Sequence, residues 1–190
     1  MKRLTLFFTV LALASLWLLA ACSIQVSDKD KEKQKVNIQT PIADLKVDTS
    51  PQATDNGIPV YPGAKPREAD KDGDKHRANV NIGGLGFGLK VIAAEYVTPD
   101  SPDKVKTFYE DKLKQFGDVL VCKGHSSDDG DVHMSGDQDD KLTCKDSHGD
   151  GWELKVGTQK NQHIVAIEPN GDGTRFGTVL VQIHGKEGAI

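Results

Sequence analysis

Short runs that alternate apolar and polar residues recur through most of the chain, and they constrain its fold more than any other feature. A period of two is typical of β-strands that bury one face. These runs lie at 36–47, 80–97, 119–122, 141–145, 152–157, 163–169 and 178–184. Turn residues such as Asn170-Gly171-Asp172-Gly173 separate them. The pattern predicts a mainly antiparallel β-meander.

One segment has the period of an α-helix instead. Its apolar residues recur at three- and four-residue spacing and are Val105, Phe108, Tyr109, Leu113 and Phe116. Ser101 can act as the N-cap, Pro102 suits the first helical position, and Gly117 suits the end of a helix. We therefore expect one principal amphipathic helix at about 101–116, packed on one face of the sheet, and predict the α+β class.

Two segments in the first half of the chain are similar to each other. Residues 36–47 and 80–91 are identical at six of twelve aligned positions. Both have the pattern of a strand, a bend and a strand, so they are either a weak internal repeat of one hairpin or a chance similarity between β-rich runs. The glycines at 83–88 favour a bend over a phosphate-binding loop, because a strand follows them where a phosphate site needs a helix.

The N-terminal segment has the character of an export signal. Lys2 and Arg3 precede an apolar run at 4–21, which ends in Leu19-Ala20-Ala21-Cys22. Basic residues followed by such a run are typical of a secretory signal peptide. The last four residues resemble the bacterial lipobox. We predict that residues 1–21 are a lipoprotein signal peptide and that Cys22 is acylated, with palmitate among its lipids.

Two alternatives to a lipoprotein leader stay open. The apolar run of eighteen residues spans about 27 Å as a helix, close to a bilayer core, so it is also compatible with an uncleaved transmembrane segment. Simple secretion with cleavage after Ala21 would leave Cys22 as an unpaired thiol.

An acylated Cys22 would hold the rest of the chain on a membrane, outside the cytoplasm. The next residue is Ser23, whereas aspartate at this position typically goes with inner-membrane retention. The resemblance to bacterial lipoproteins therefore implies the outer membrane, facing the periplasm, if the bacterium has two membranes. Residues 22–35 are polar with alternating charge and are predicted to be a flexible tether. Residues 36–57 are predicted to form a short β-hairpin and a linker, and residues 58–190 a single domain.

The charge balance limits the partners. Without Lys2 and Arg3 the basic residues fall from 24 to 22 against 28 acidic ones, so the net charge changes from −4 to −6. An acidic surface disfavours nucleic acid as a partner.

Two cysteines remain apart from Cys22. In an oxidising compartment, Cys122 and Cys144 are expected to form a disulfide, which would contribute about 3 kcal/mol of stability by closing a loop of roughly twenty residues. Zinc ligation is the competing interpretation, but the spacing lacks a CxxC pair.

Residues 124–151 hold eight aspartates and three histidines. Carboxylates and imidazoles can bind a divalent cation, and the candidate ligands are His125, Asp129, Asp131, His133 and His148. The segment lacks a fixed ligand spacing, so a solvated loop is the alternative.

The aspartates at 70–74 resemble those of a calcium-binding loop. The twelfth position of such a loop needs a glutamate, and here it is Asn81, which favours a turn.

Three segments together resemble a group of uncharacterised bacterial lipoproteins. They are the Leu45-Lys46-Val47 triplet, the VYPGAK segment at 60–65, and the DSPDKV segment at 100–105 followed by Phe108-Tyr109. The resemblance covers most of residues 36–190. It implies no known activity, and no catalytic residue is predicted.

Three functions are compatible with these features. The first is a noncatalytic binding or envelope-associated lipoprotein whose partner is an envelope protein or a small ligand. The second is a periplasmic module that binds a divalent cation, the sole cofactor considered, through residues 124–151. The third is a hydrolase with an unrecognised site. An enzyme is disfavoured because the sequence offers no recognisable set of acid, base and nucleophile.

Overall fold

A computed structural model describes residues 23–28, 34–50, 55–69, 76–124, 140–144 and 150–185. Ten strands form one antiparallel sheet: β1 (Ser23–Asp28), β2 (Gln34–Gln39), β3 (Asp44–Asp48), β4 (Lys65–Pro66), β5 (Arg77–Gly84), β6 (Phe87–Thr98), β7 (Leu120–Lys123), β8 (Trp152–Thr158), β9 (Asn161–Asn170) and β10 (Gly173–Gly185). Helix α1 (Pro102–Leu113) continues into a 3-10 turn, Lys114–Phe116. The strand order is β1-β2-β3-β5-β6-β10-β9-β8-β7, and β4 pairs with β6.

The predicted α+β class is wrong. In the described part of the chain, α1 is a single helix of twelve residues beside ten strands, so the molecule is mainly a β structure. The helix lies where the sequence placed it, but it covers only part of one sheet face. An α+β class needs a helical layer comparable to the sheet, and one short helix does not supply it.

The first residues after Cys22 also differ from the expectation. The segment 22–35 was expected to be a flexible tether, yet Ser23–Asp28 forms β1 and pairs antiparallel with β2 from Ser23↔Gln39 to Asp28↔Gln34. The polar composition is a poor guide here because strand pairing rests on backbone hydrogen bonds, which polar residues make equally well. The hairpin expected within 36–57 is formed by β2 and β3, and β3 pairs onward with β5.

The two similar segments form two hairpins that lie side by side. Their identical residues stand directly opposite one another across four strands. One row is Val36, Val47, Val80 and Val91; the next is Asn37, Lys46, Asn81 and Lys90; the third is Ile38, Leu45, Ile82 and Leu89. The repeated sequence thus repeats one hairpin, with matching residues on matching faces.

The core lies under α1, on what we call the helix face of the sheet. Val105, Tyr109 and Leu113 of α1 are fully buried there. They pack with sheet residues that include Leu154, Val156, Val165, Ile167 and Phe176. The rings of Tyr109 and Phe176 lie 5.5 Å apart.

The opposite face is apolar in a different part of the sheet. Ten aliphatic residues form what we call the aliphatic face: Val36, Ile38, Leu45, Val47, Val80, Ile82, Leu89, Val91, Val181 and Ile183. All ten stay partly exposed to solvent. Leu89 and Val91 on this face belong to β6. Further along the same strand, Ile92, Ala94 and Tyr96 are buried on the helix face. The apolar side of the sheet therefore changes midway along β6.

Candidate functional site

Most of the predicted site residues lie outside the described part of the chain. This holds for Cys22, the aspartates at 70–74, and the predicted cation ligands His125, Asp129, Asp131, His133 and His148. Among the residues that the structure describes, no group of three or more histidine, cysteine, aspartate or glutamate side chains could hold a metal ion. The cation hypothesis stays a prediction.

Cys122 and Cys144 form the predicted disulfide. Their sulfur atoms are 2.03 Å apart and their Cα atoms 5.4 Å apart. Cys122 lies in β7 and is buried, whereas Cys144 is exposed. Because the two sulfurs are bonded to each other, they are not available as zinc ligands or as thiol nucleophiles.

A second contact fixes the same corner of the fold. The backbone N–H of Gly124 donates to the carbonyl of Gly151 at 3.0 Å. The described ends of the segment that carries the predicted cation ligands therefore leave the sheet side by side, next to β7 and β8.

The two motifs that carry the family resemblance contact each other. The hydroxyl of Tyr61, from VYPGAK, donates to Oδ2 of Asp100 at 2.8 Å, and its backbone N–H donates to the Tyr109 hydroxyl at 3.1 Å. The edge of one ring meets the face of the other between Tyr61 and Phe108, with centroids 5.1 Å apart. Thr174 of β10 donates to the backbone carbonyl of Asp100 at 2.6 Å. These contacts link the segment 55–64 to α1 and to β10. The role of the residues that make them is therefore structural.

We call Tyr61, Asp100 and Tyr109 the joint. Their contacts determine their protonation states. The hydrogen bond from Tyr61, followed by that from Lys104, lowers the pKa of Asp100. Burial, followed by the bond to Asp100, raises the pKa of Tyr61, and burial raises the pKa of Tyr109. At neutral pH both phenols are protonated and the carboxylate is ionised. The joint is thus a set of satisfied hydrogen bonds without a group that titrates near neutrality.

A small recess lies beside β6, where the strand paired with it changes from β5 to β4. Within it, Nη1 of Arg67 is 2.7 Å from Oε2 of Glu95, and Nδ1 of His76 is 3.6 Å from the same oxygen. The recess has a volume of about 60 Å³. That is room for roughly two waters, far below the roughly 300 Å³ at which ligand pockets begin. It does not fit an organic substrate.

His163 is a structural residue on β9. Its ring stacks on Phe116, with centroids 3.9 Å apart and planes at 16°. Burial lowers its pKa, against an opposing hydrogen bond with the Asn56 backbone. Asn56 in turn donates from its amide to the Thr178 hydroxyl at 2.8 Å. His163 therefore helps to hold residues 55–58 against the sheet in its neutral form.

The chain matches no protein-family model, no curated protein and no solved structure. The resemblance to uncharacterised bacterial lipoproteins thus stays a prediction. No helix in the described part of the chain is long and apolar enough to cross a membrane.

Sequence reasoning missed the contacts that join distant segments. Tyr61 and Asp100 are 39 residues apart, and Arg67 and Glu95 are 28 apart. A short motif does not report such pairs. The only available signal was that VYPGAK and DSPDKV both stood out as motifs, which says that each matters but not that they touch.

The Tyr61 and Tyr109 hydroxyls are expected to differ in their contribution to stability. Tyr109→Phe removes the acceptor of the Tyr61 N–H next to a fully buried ring and should cost about 1–3 kcal/mol. Tyr61→Phe removes a bond to a carboxylate that water can reach, so it should cost less than Tyr109→Phe. Urea unfolding of both variants measures the difference. A larger loss for Tyr61→Phe would contradict the structural role of the joint.

The burial of His163 predicts a pH dependence of stability. Its folded pKa lies below the ordinary value of 6.5, so the unfolded chain binds the proton more readily. The stabilisation is complete above that value and is lost as the pH falls through it towards the folded pKa. His163→Phe keeps an aromatic ring on Phe116 but does not titrate. Free energies of unfolding measured between about pH 8 and pH 5 should fall more steeply for wild type than for the variant. Parallel curves would contradict the assignment.

Proposed function

We propose that this chain is a bacterial lipoprotein, acylated at Cys22 and exposed outside the cytoplasm, with a noncatalytic binding or envelope-associated role. The observation that carries the proposal is the sequence Leu19-Ala20-Ala21-Cys22 at the end of a basic and then apolar leader. A signal peptide and a lipid attachment site account for both features together.

The disulfide supports the export part of the proposal. Disulfides persist in oxidising compartments, whereas cytosolic reductants keep most thiols reduced. Cys122 lies in β7 at one edge of the sheet and is bonded to Cys144, and the sequence between the two cysteines is rich in polar residues. A covalent tie at this position suits a domain that folds after export.

The surface supports a binding role over catalysis. The polar contacts of Tyr61, Asp100 and Tyr109 are used within the fold, and the recess beside Glu95 is too small for an organic substrate. The aliphatic face offers a broad, partly exposed apolar surface. Surfaces of this kind are typical of contacts with large partners.

Labelling of the full chain with an alkyne fatty acid in a bacterial host tests the proposal. We expect the wild type to incorporate the label and Cys22→Ser to lose it completely. The double variant Cys122→Ser with Cys144→Ser is the matched control, because it removes the other two cysteines and should keep the label.

Mass spectrometry of the processed wild type should find Cys22 at its N-terminus. An unlabelled wild type, or a label that persists in Cys22→Ser, would contradict acylation at this residue.

A further inference from the structure

Large apolar side chains that are exposed to solvent cluster at one end of the sheet. The described exposed ones are Ile42, Val60, Ile82, Leu85, Phe87 and Ile183, with 36–83 % of their surface accessible. Ile42 lies in the turn between β2 and β3, and Leu85 in the turn between β5 and β6. Because β3 and β5 pair antiparallel from Asp44↔Gly83, both turns lie at the same end.

Phe87, Ile82 and Ile183 belong to the same end, whereas Val60 lies at the opposite end, next to Tyr61. Phe87 is the first residue of β6 and pairs with Gly185, near the end of the described chain. Ile82 and Ile183 both stand opposite Leu89. We call the five residues Ile42, Ile82, Leu85, Phe87 and Ile183 the apolar end.

The two hairpin tips within the apolar end touch each other. A Cβ on Gly84 would lie 2.3 Å from the carbonyl oxygen of Ile42 and 2.8 Å from the Cα of Ala43. The turns therefore pack backbone to backbone, which only glycine permits at this position. The apolar residues of both tips form one surface, and Phe87 continues it into the aliphatic face.

The predicted lipid attachment site is next to this surface. Ser23 pairs with Gln39, the last residue of β2 before the turn that holds Ile42. Ser23, the first residue of β1, follows Cys22 directly in the sequence, and one residue spans about 4 Å, so an anchor on Cys22 would have almost no chain between it and the sheet. Lipid on Cys22 would bring the apolar end to the bilayer surface without an intervening spacer.

We propose that the apolar end docks into the boundary between headgroups and acyl chains of the phospholipid bilayer that holds the anchor. The inference rests on the proposed acylation of Cys22 and adds the orientation of the domain. Exposed apolar patches on otherwise polar proteins mark interaction sites, and apolar side chains lie favourably at this depth of a membrane.

The charge of this end fits apolar docking. The row of residues that crosses the sheet just inside the tips is Gln39, Asp44, Gly83, Gly88 and His184. This row holds one carboxylate and no lysine or arginine. Lys160, whose carbonyl accepts from the Ile183 N–H, is paired with Asp140, so attraction to anionic headgroups is not the driving force. A bilayer of zwitterionic lipid should therefore suffice.

The orientation places the helix away from the membrane. The twelve residues of β6 extend over roughly 37 Å, since each strand residue advances about 3.4 Å. Asp100, which contacts Tyr61, follows the far end of this strand. The joint formed by Tyr61, Asp100 and Tyr109 would thus face the aqueous compartment.

Fluorescence quenching tests the docking. The full chain, produced in a bacterium, is reconstituted into phosphatidylcholine vesicles whose acyl chains carry bromine, which quenches nearby indoles. Phe87→Trp reports on the apolar end, and Val60→Trp is the matched control because both native residues are 48 % exposed. Val60 neighbours Tyr61 at the far end. Wild-type emission is subtracted.

We expect the indole at position 87 to be quenched at least about twofold more strongly than the one at position 60, because interfacial apolar groups lie roughly 5–10 Å inside the headgroup boundary. Leu85→Trp is a second reporter that should behave like Phe87→Trp. Leu85 is 83 % exposed, so its replacement leaves the packing of the sheet unchanged.

Equal quenching at positions 60, 85 and 87 overturns the inference. It is also overturned if position 87 is unquenched and the protein cross-links into dimers, which would assign the apolar end to a second copy. The intact mass of the same samples reports acylation separately. A mass without acyl chains overturns the proposed anchor and, with it, the docking that rests on the anchor, whereas equal quenching of an acylated protein overturns the docking alone.

Discussion

The antiparallel pairing of β6 with β10 is the interaction on which the rest of the structure depends. It runs through twelve residue pairs, from Thr174↔Thr98 to Gly185↔Phe87. On one side of this pair the sheet continues through β5, β3, β2 and β1, and on the other through β9, β8 and β7. Alternation along these two strands decides which side chains meet α1 and which form the aliphatic face.

The two strands are used differently along their length. Near Tyr96 and Phe176 their helix face is apolar and buried, and the two rings stack at 5.4 Å. Near Leu89 and Ile183 the opposite face is apolar and partly exposed. One sheet thus provides a closed core at one end and an open apolar surface at the other. The proposed membrane orientation uses this division, since the closed core lies at the end away from Cys22.

Sequence alternation and helical spacing predicted the elements better than their extent. The run at 178–184 was recognised, but β10 begins at Gly173. Thr174, which precedes the recognised run, does not look like a core residue, and neither does Thr178, the first residue of the run. Both are buried since their hydroxyls have partners, the Asp100 carbonyl and the Asn56 amide. The α+β class failed for a related reason, because a clear helix signal does not say how much of the sheet the helix covers.

Some features of the candidate sites could be predicted from the sequence and others could not. The disulfide was predictable because the leader pattern predicts export, and two cysteines in an oxidising compartment have few alternatives to pairing. The glycine-rich bend at 83–88 was predictable too, but the position of Leu85 and Phe87 in the apolar end was not. Their closeness to Ser23 depends on four strand registers in series, from β1 through β2 and β3 to β5 and β6. Alternation in a sequence does not reveal registers of this kind.

Amide hydrogen exchange along β6 tests the central claim most directly, namely that the sheet is continuous from the closed core to the apolar end. Residues 88–91 are flanked by β5 on one side and β10 on the other. The structure predicts that their amides exchange slowly, together with those of residues 92–98. Exchange at 88–91 as fast as in an unfolded chain, with 92–98 still protected, would contradict it.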